Sequence, residues 1–381
     1  MKAIINGNFV MPEGVKTGLA LVFDQQIRGY VDAETLPADV ERVDANGGWV
    51  FPGLIDMHIH GYLGADASDG SFAGIRTMAE GVAAHGVTGF LPTTMTVSYA
   101  ALEAAFAVIG QAMEKSGAED WFGARVLGCN AEGPFINAKK KGAQAEEHIR
   151  VPDAAFLKRH ADVIRMFTIA PEVPGAMGCI REMAATDMRI SMGHTAATYA
   201  QAKAAIDAGV RQATHLFNAM TPLNHREPGV VGAALADDRV CCELIADTFH
   251  VNKALFSLVA RQKGDQLVLI TDCLRCGGMP DGVYTLGGQD VYLSGIECRL
   301  EDGTIAGSTL TLDRAVRNML ANTDLTVSQA VNLASRNPAR ALGIEKRKGT
   351  LNVGSDADIA LLDGNMNVRR TYVEGRLVYR G

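Results

Sequence analysis

The hydrophobic rhythm of the chain changes twice, and the changes divide it into a small β unit and a larger α/β body. Residues 1–50 carry short alternating runs, Ala3-Ile4-Ile5, Leu19-Ala20-Leu21-Val22 and Gln26-Ile27-Arg28-Gly29, broken by Gly, Pro and Asp. Such short runs between turn residues predict strands. The other end looks alike, with Ala357–Asp363, Val368–Tyr372 and Arg376–Tyr379. Neither end can make a core alone. Because domain termini often lie close together, 1–50 and 350–381 are expected to pair into one small β-sandwich.

Residues 51–349 follow another pattern, in which apolar runs alternate with Ala-rich stretches of helical character. The runs are Leu54–Met57, Thr88–Leu91, Arg125–Cys129, Val163–Ile169, Arg189–Met192, Gln212–Thr214, Cys241–Ala246 and Leu267–Thr271. Helices are expected at Phe72–His85, Tyr99–Lys115, Ala176–Thr186 and Tyr199–Ala208 between them, and at Leu312–Ala321 after the last. Eight strands alternating with helices is the count of an α/β TIM (β/α)8 barrel, whose chemistry lies at the carboxyl ends of the strands. The Gly-rich stretch 281–307 interrupts the pattern and is expected to form a β-hairpin insertion over the barrel mouth.

Composition narrows the partners. A hydrophobic content of 48% with 21% charged residues describes an ordinary soluble protein. A net charge of −7 argues against nucleic acid, which wants a basic face. An anionic substrate must therefore be held by a local cluster of donors. The first residues show no signal peptide, and no apolar run approaches the ~18 residues of a membrane span. Seven scattered cysteines, several in apolar runs, fit reduced thiols in the cytoplasm.

The polar residues at the predicted strand ends carry the candidate chemistry. The first strand ends in His58-Ile59-His60, where side chains at i and i+2 share a face and two imidazoles can converge on one point. The third presents Glu132, the fifth His194, the sixth His215, the seventh Asp247 and His250, and the eighth Asp272. Each histidine alone could be a surface or satisfied core residue, yet five of the nine in the chain fall on this one rim. His, Glu and Asp together on a barrel rim make a hydrolytic metal site, with a carboxylate left over as base.

These residues bring a resemblance into view. Pro52-Gly53-Leu54-Ile55-Asp56-Met57-His58-Ile59-His60-Gly61, Ala131-Glu132-Gly133-Pro134-Phe135, Gly193-His194-Thr195 and Thr214-His215-Leu216-Phe217-Asn218-Ala219-Met220 resemble motifs of the amidohydrolase superfamily. His225-Arg226-Glu227-Pro228-Gly229, Ile245-Ala246-Asp247 with His250, Thr271-Asp272 and Ala306-Gly307-Ser308 extend the likeness over nearly the whole chain. It points to the branch that deacetylates amino-sugar phosphates. The resemblance implies a divalent metal, zinc foremost with iron, cobalt or manganese as alternatives, one or two per chain. Glu132, His194 and His215 match the ligands of one position. His58 and His60 match those of a second position, bridged by Glu132. Asp272 matches the acid/base. Gln144, Asn218, Ala219, Arg226 and His250 match substrate-binding positions, with Arg226 expected on the phosphate, within the chain or across a homodimer. The implied reaction is hydrolysis of the acetamide of N-acetylglucosamine 6-phosphate to glucosamine 6-phosphate and acetate, in amino-sugar catabolism and cell-wall recycling.

Three positions depart from the pattern. Gln144 stands where the family usually has a histidine near the substrate carbonyl, and an amide can donate a hydrogen bond but carries no charge. Asn252 replaces a second histidine, and the loop Cys273-Leu274-Arg275-Cys276 has a C-X-X-C spacing with no accompanying Cys or His pair. A relative acting on another sugar phosphate, such as the galactosamine epimer, is the alternative that Gln144 keeps open. An amidohydrolase built on a carbamylated lysine is disfavoured, because the fourth strand ends Thr168-Ile169-Ala170-Pro171-Glu172. A metal-free scaffold is disfavoured by the intact Glu132, His194, His215 and Asp272.

Overall fold

Eight parallel strands follow one another around a barrel in the computed structural model, which describes all residues Met1–Gly381. They are β1 (Leu54–Ile59), β2 (Val87–Thr94), β3 (Cys129–Phe135), β4 (Ile164–Ile169), β5 (Arg189–Met192), β6 (Gln212–Ala213), β7 (Cys241–Ile245) and β8 (Leu267–Ile270). Each pairs in parallel with the next from β1 to β8. Almost every residue of these strands is buried, which is why they read as apolar runs rather than alternating ones. Between β8 and β1 the barrel closes beside the rim. The Asp272 N–H donates to His58 O at 2.9 Å, and the Thr271 hydroxyl donates to the Asp56 carboxylate at 2.6 Å. Burial pushes the Asp56 carboxyl up to about 7 even so.

A helix follows every strand: α1 (Phe72–Ala83), α2 (Tyr99–Lys115), α3 (Ala154–Arg159), α4 (Ala176–Met183), α5 (Tyr199–Ala208), α6 (Gly229–Ala236), α7 (Phe256–Lys263) and α8 (Leu312–Asn322). Several start on local signals. Ser71 and Ser98 accept the backbone N–H of Gly74 and Ala101, and Thr198 with Gln201 forms a reciprocal capping box. The expected barrel is thus observed, with one strand displaced. The third barrel strand is Cys129–Phe135, not Arg125–Cys129, and Arg125–Val126 is a separate short strand against β2. The apolar run stops where the barrel strand begins because Asn130 and Glu132 lie inside the strand, where the barrel interior is polar.

Two further sheets use both ends of the chain. One joins Lys2–Ile5, Ala20–Phe23, Ile27–Val31 and Glu41–Asp44. In the other, Trp49–Pro52 lies antiparallel to Ile359–Leu362, with Val50 opposite Leu361. Ile4, Phe9, Leu21, Phe23, Val50, Leu361 and Tyr372 share one apolar cluster between these sheets. Trp49–Pro52 runs on through Gly53 into β1, so the small β unit anchors the strand that carries His58 and His60.

The insertion after β8 is a three-stranded antiparallel sheet, Gly282–Leu286, Gln289–Ser294 and Glu297–Arg299, rather than a two-stranded hairpin. A tight turn at Gly295, whose φ is +62°, returns the chain for the extra strand. Leu286, Val291, Leu293 and Cys298 pack on Leu274, Cys276 and Ala306, seating the sheet against the loop that follows Asp272. No helix is long and apolar enough to cross a membrane.

Candidate metal centre and active site

Six side chains from five strand ends converge at the carboxyl end of the barrel, in two groups with metal-ligand geometry. Glu132, His194 and His215 form one, and His58, His60 and Asp272 the other. The groups share Glu132. Its Oε1 lies 3.2 Å from His194 Nε2, 3.0 Å from His215 Nε2 and 3.4 Å from His58 Nε2, while its Oε2 lies 3.2 Å from His60 Nε2. Asp272 Oδ1 is 3.2 Å from His60 Nε2 and 3.5 Å from His58 Nε2.

The far side of each imidazole shows what these atoms are for. His60 Nδ1 faces Thr93 O at 3.0 Å, His194 Nδ1 faces Lys140 O at 2.9 Å, and His215 Nδ1 faces Asn218 O at 3.2 Å. A carbonyl only accepts, so each of these Nδ1 atoms carries the proton. In the neutral ring the Nε2 lone pair is then turned to the centre. His58 Nδ1 is held the same way, by the Glu243 carboxylate at 3.0 Å. Two pairs of Nε2 atoms, His58 with His60 and His194 with His215, approach to 3.3 and 3.1 Å. Such lone pairs repel one another unless a cation sits between them or a single proton bridges each pair. Oriented imidazoles with bridging carboxylate oxygen fit divalent metal ions of the zinc type.

Electrostatics agree. Burial works to raise Glu132, but His194 and His58 hold its carboxyl well below the usual range. Burial works to lower His60, but hydrogen bonds to Asp272 and Glu132 raise it well above the usual imidazole range. His215 is raised to about 9 by Glu132 against the same burial penalty. Asp272 is lowered, with burial opposed by the His60 hydrogen bond and the charge of His58. The carboxylates stay ionised and the rings seek positive charge, as expected where a cation belongs.

Three of the six residues adopt left-handed backbone: His194 at φ +46°, His215 at φ +30° and Asp272 at φ +51°. Sparsely populated conformations of this kind cluster at functional sites, where surrounding structure over-determines them. Gly61 serves the same end. A Cβ there would lie within 2.5 Å of the Arg275 backbone nitrogen, so only glycine lets the chain after His60 lie against the loop after Asp272.

A cavity of about 350 Å³ opens on this centre. His60, Glu132, Gln144, His194, His215, Asn218, Ala219, His250 and Asp272 line it, so it gathers most of the residues expected from sequence. Lys139, Lys140, Thr304 and Ile305 join them, the last two from the insertion. His250 is held by Asp247, whose Oδ2 lies 2.6 Å from its Nδ1. Arg226 lies elsewhere, on the exposed segment 222–227, outside the cavity of its own chain. Asn252 caps a helical turn by accepting the Ala254 N–H. Cys276 contacts Cys298, sulfur to sulfur at 3.3 Å, rather than its C-X-X-C partner Cys273.

Two features escaped the sequence reading. Glu243, fully buried in the middle of β7, has no rim position to mark it, only a charge inside an apolar run. Glu172, at the end of β4, accepts from Asn137 Nδ2, the Thr195 hydroxyl and the Ala196 N–H, and so braces the loop after His194.

Comparison with known proteins agrees with this geometry. The model of the amidohydrolase family matches residues 49–378. An N-acetylgalactosamine-6-phosphate deacetylase of Escherichia coli O157:H7 is 40% identical over 93% of this chain and 94% of its own length. An N-acetylglucosamine-6-phosphate deacetylase of Bacillus subtilis (strain 168) is 40% identical over 87% of this chain and 84% of its own. The structure of a mutant N-acetyl-D-glucosamine-6-phosphate deacetylase of Mycobacterium smegmatis, in complex with N-acetyl-D-glucosamine-6-phosphate, superimposes with a TM-score of 0.89. It is 31% identical and covers 99% of each chain.

Proposed function

This chain belongs to the amidohydrolase family, and on that premise we propose that it hydrolyses the acetamide of N-acetylglucosamine 6-phosphate, releasing glucosamine 6-phosphate and acetate. The observation that carries the reading is Glu132, shared between two ligand groups at the floor of a cavity that also presents Asp272. Zinc suits the imidazole and carboxylate donors, in one or two positions. When bound, such a cation supplies Lewis acidity that brings the pKa of water towards ~7 and polarises a carbonyl.

The chain's own residues do the rest. Glu132, His194 and His215 would hold one ion, and His58 and His60, beside Glu132, would hold a second. Asp272, kept ionised beside His60, accepts a proton from water at its carboxylate and returns it to the sugar nitrogen as the C–N bond breaks. Asn218, Ala219 and His250 face the sugar phosphate from the cavity wall, and Gln144 stands at the acetamide end. The Asn218 N–H and its side-chain Nδ2 both donate already within the loop, to His215 O at 2.9 and 3.2 Å and, from Nδ2, to Leu216 O at 3.3 Å. Arg226 reaches the phosphate of a neighbouring subunit in a homodimer, a role its exposure leaves open and the planar guanidinium fork suits. Seven buried cysteines without a disulfide suit a reducing compartment, and the cytoplasm is the setting we propose for this step of amino-sugar catabolism.

The N-acetylgalactosamine 6-phosphate name of the Escherichia coli relative favours a second reading, deacetylation of that epimer. Measuring kcat/KM on both 6-phosphates with one metal-loaded preparation separates the two. The proposal expects the glucosamine derivative to be preferred. At least tenfold preference for the galactosamine derivative would replace it with the second reading.

A further inference from the structure

One buried charge at the centre has no part in the proposed reaction. Glu243 lies in β7 with its side chain in the barrel interior, fully shielded from water and out of reach of substrate. Burying a carboxylate costs several kcal/mol unless donors compensate. Here three do: His58 Nδ1 at 3.0 Å and the His215 backbone N–H at 3.1 Å both meet Oε2, and Gln212 Nε2 donates to Oε1 at 3.0 Å. One oxygen therefore touches a residue of each ligand group. No Lys or Arg pairs with Glu243, so the ionised form is matched by neutral donors and by whatever positive charge the centre holds.

Its partner is also singled out. The Nδ1 atoms of His60, His194 and His215 face neutral carbonyl oxygens, whereas that of His58 faces a carboxylate. A carboxylate behind an imidazole fixes its ring and raises its basicity as a ligand more than an amide carbonyl does. The same oxygen pins the His215 backbone, which sits at φ +30° and needs an external hold to keep that conformation.

We propose that Glu243 is a positioning residue that builds the His58/His60 metal position and couples it to the Glu132/His194/His215 position. It fixes and enriches the His58 ligand while clamping the backbone of His215. The inference rests on the two-position reading of the centre.

The test is titration of chelator-stripped protein with zinc, following stoichiometry and affinity, on the wild type, Glu243→Gln and His60→Asn. Melting of apo and loaded forms is measured in parallel. Glu243→Gln keeps the shape and one acceptor but loses the charge. The weaker ion, assigned as the one missing in His60→Asn, should lose ten- to hundredfold in affinity in Glu243→Gln, the range for changes behind a metal ligand. The gain in Tm on zinc loading should shrink while the apo Tm moves little. Glu243→Asp, which keeps the charge but retracts it from His58, should also weaken that ion and serves if the glutamine variant does not fold. Two ions bound as tightly in either folded variant as in the wild type, with apo and loaded Tm lowered equally, would overturn the proposal and leave the two-position centre standing. A wild type that never takes up more than one ion would overturn the two-position reading itself.

Discussion

Gln144 donates a 2.6 Å hydrogen bond from Nε2 to Glu132 Oε2, while its Oε1 accepts the Thr96 N–H at 2.7 Å. Both ends of the amide are therefore engaged by protein, and one remaining N–H is left for a ligand. The residue that stands in place of the family's histidine is tied to the carboxylate the two ligand groups share.

This arrangement makes Gln144 sensitive to loss more than to exchange. Gln144→Leu leaves a buried carboxylate oxygen without its donor, which costs about 1.5–3 kcal/mol. It should lower kcat/KM on N-acetylglucosamine 6-phosphate by roughly ten- to hundredfold. Gln144→His keeps a donor and should hold or raise that value. Steady-state kinetics that place the leucine variant within threefold of wild type would show that the contact has no part in turnover.

Asp272 carries a second prediction. Asp272→Asn preserves shape and removes the base, and should cost the ~10²–10⁴-fold typical of general acid/base catalysis with metal content unchanged. Because Asp272 Oδ1 also lies 3.2 Å from His60 Nε2, elemental analysis of the variant must accompany the rate. A rate within tenfold of wild type, metal retained, would remove Asp272 from the proton path.

How much of this was legible beforehand follows from how each element is buried. Parallel strands covered on both faces are mostly apolar, so seven of the eight are legible in place, and the strand ends point to His58, His60, Glu132, His194, His215, His250 and Asp272. β3 was misplaced because its own residues are the site: Asn130 and Glu132 interrupt the apolar signal where the strand runs. α6, Gly229–Ala236, is apolar on every side and has no amphipathic period to reveal it. α3 and α7 are only two turns or so long. Glu243 stayed hidden since its function lies behind a ligand rather than on the rim, and a single charge in a strand does not say what it faces.

Arg226 offers a third test, of recognition. It lies outside the cavity of its own chain, and in the proposed homodimer its grip on phosphate is made across subunits. Arg226→Met should weaken the phosphorylated substrate by roughly 2–5 kcal/mol, the range for losing a buried charge partner. Residual turnover of the unphosphorylated sugar should barely change. Equal losses on both substrates would assign Arg226 to the fold or to subunit assembly.

Stability in acid gives a fourth. Burial works to raise Asp313, but His85, with Nδ1 3.2 Å from its Oδ1, and Arg317 hold its carboxyl down at about 2 from the usual 3.8. A carboxyl depressed on folding stabilises the native state above its unfolded pKa, and that contribution fades as pH falls from about 4 to about 2. The depression corresponds to about 2 kcal/mol at neutral pH. Asp313→Asn should therefore be less stable than wild type at pH 7 by about that amount in urea unfolding. The gap should close towards pH 2. A gap that stays constant with pH would mean that the lost contact is not electrostatic.

Metal-dependent deacetylation is tested most directly by acetate release from N-acetylglucosamine 6-phosphate, with one preparation assayed as purified, after chelator stripping, and after zinc is restored, and metal content measured at each stage. Turnover should disappear with the metal and return with it. Full metal occupancy with no acetate released from this substrate would contradict the proposed function.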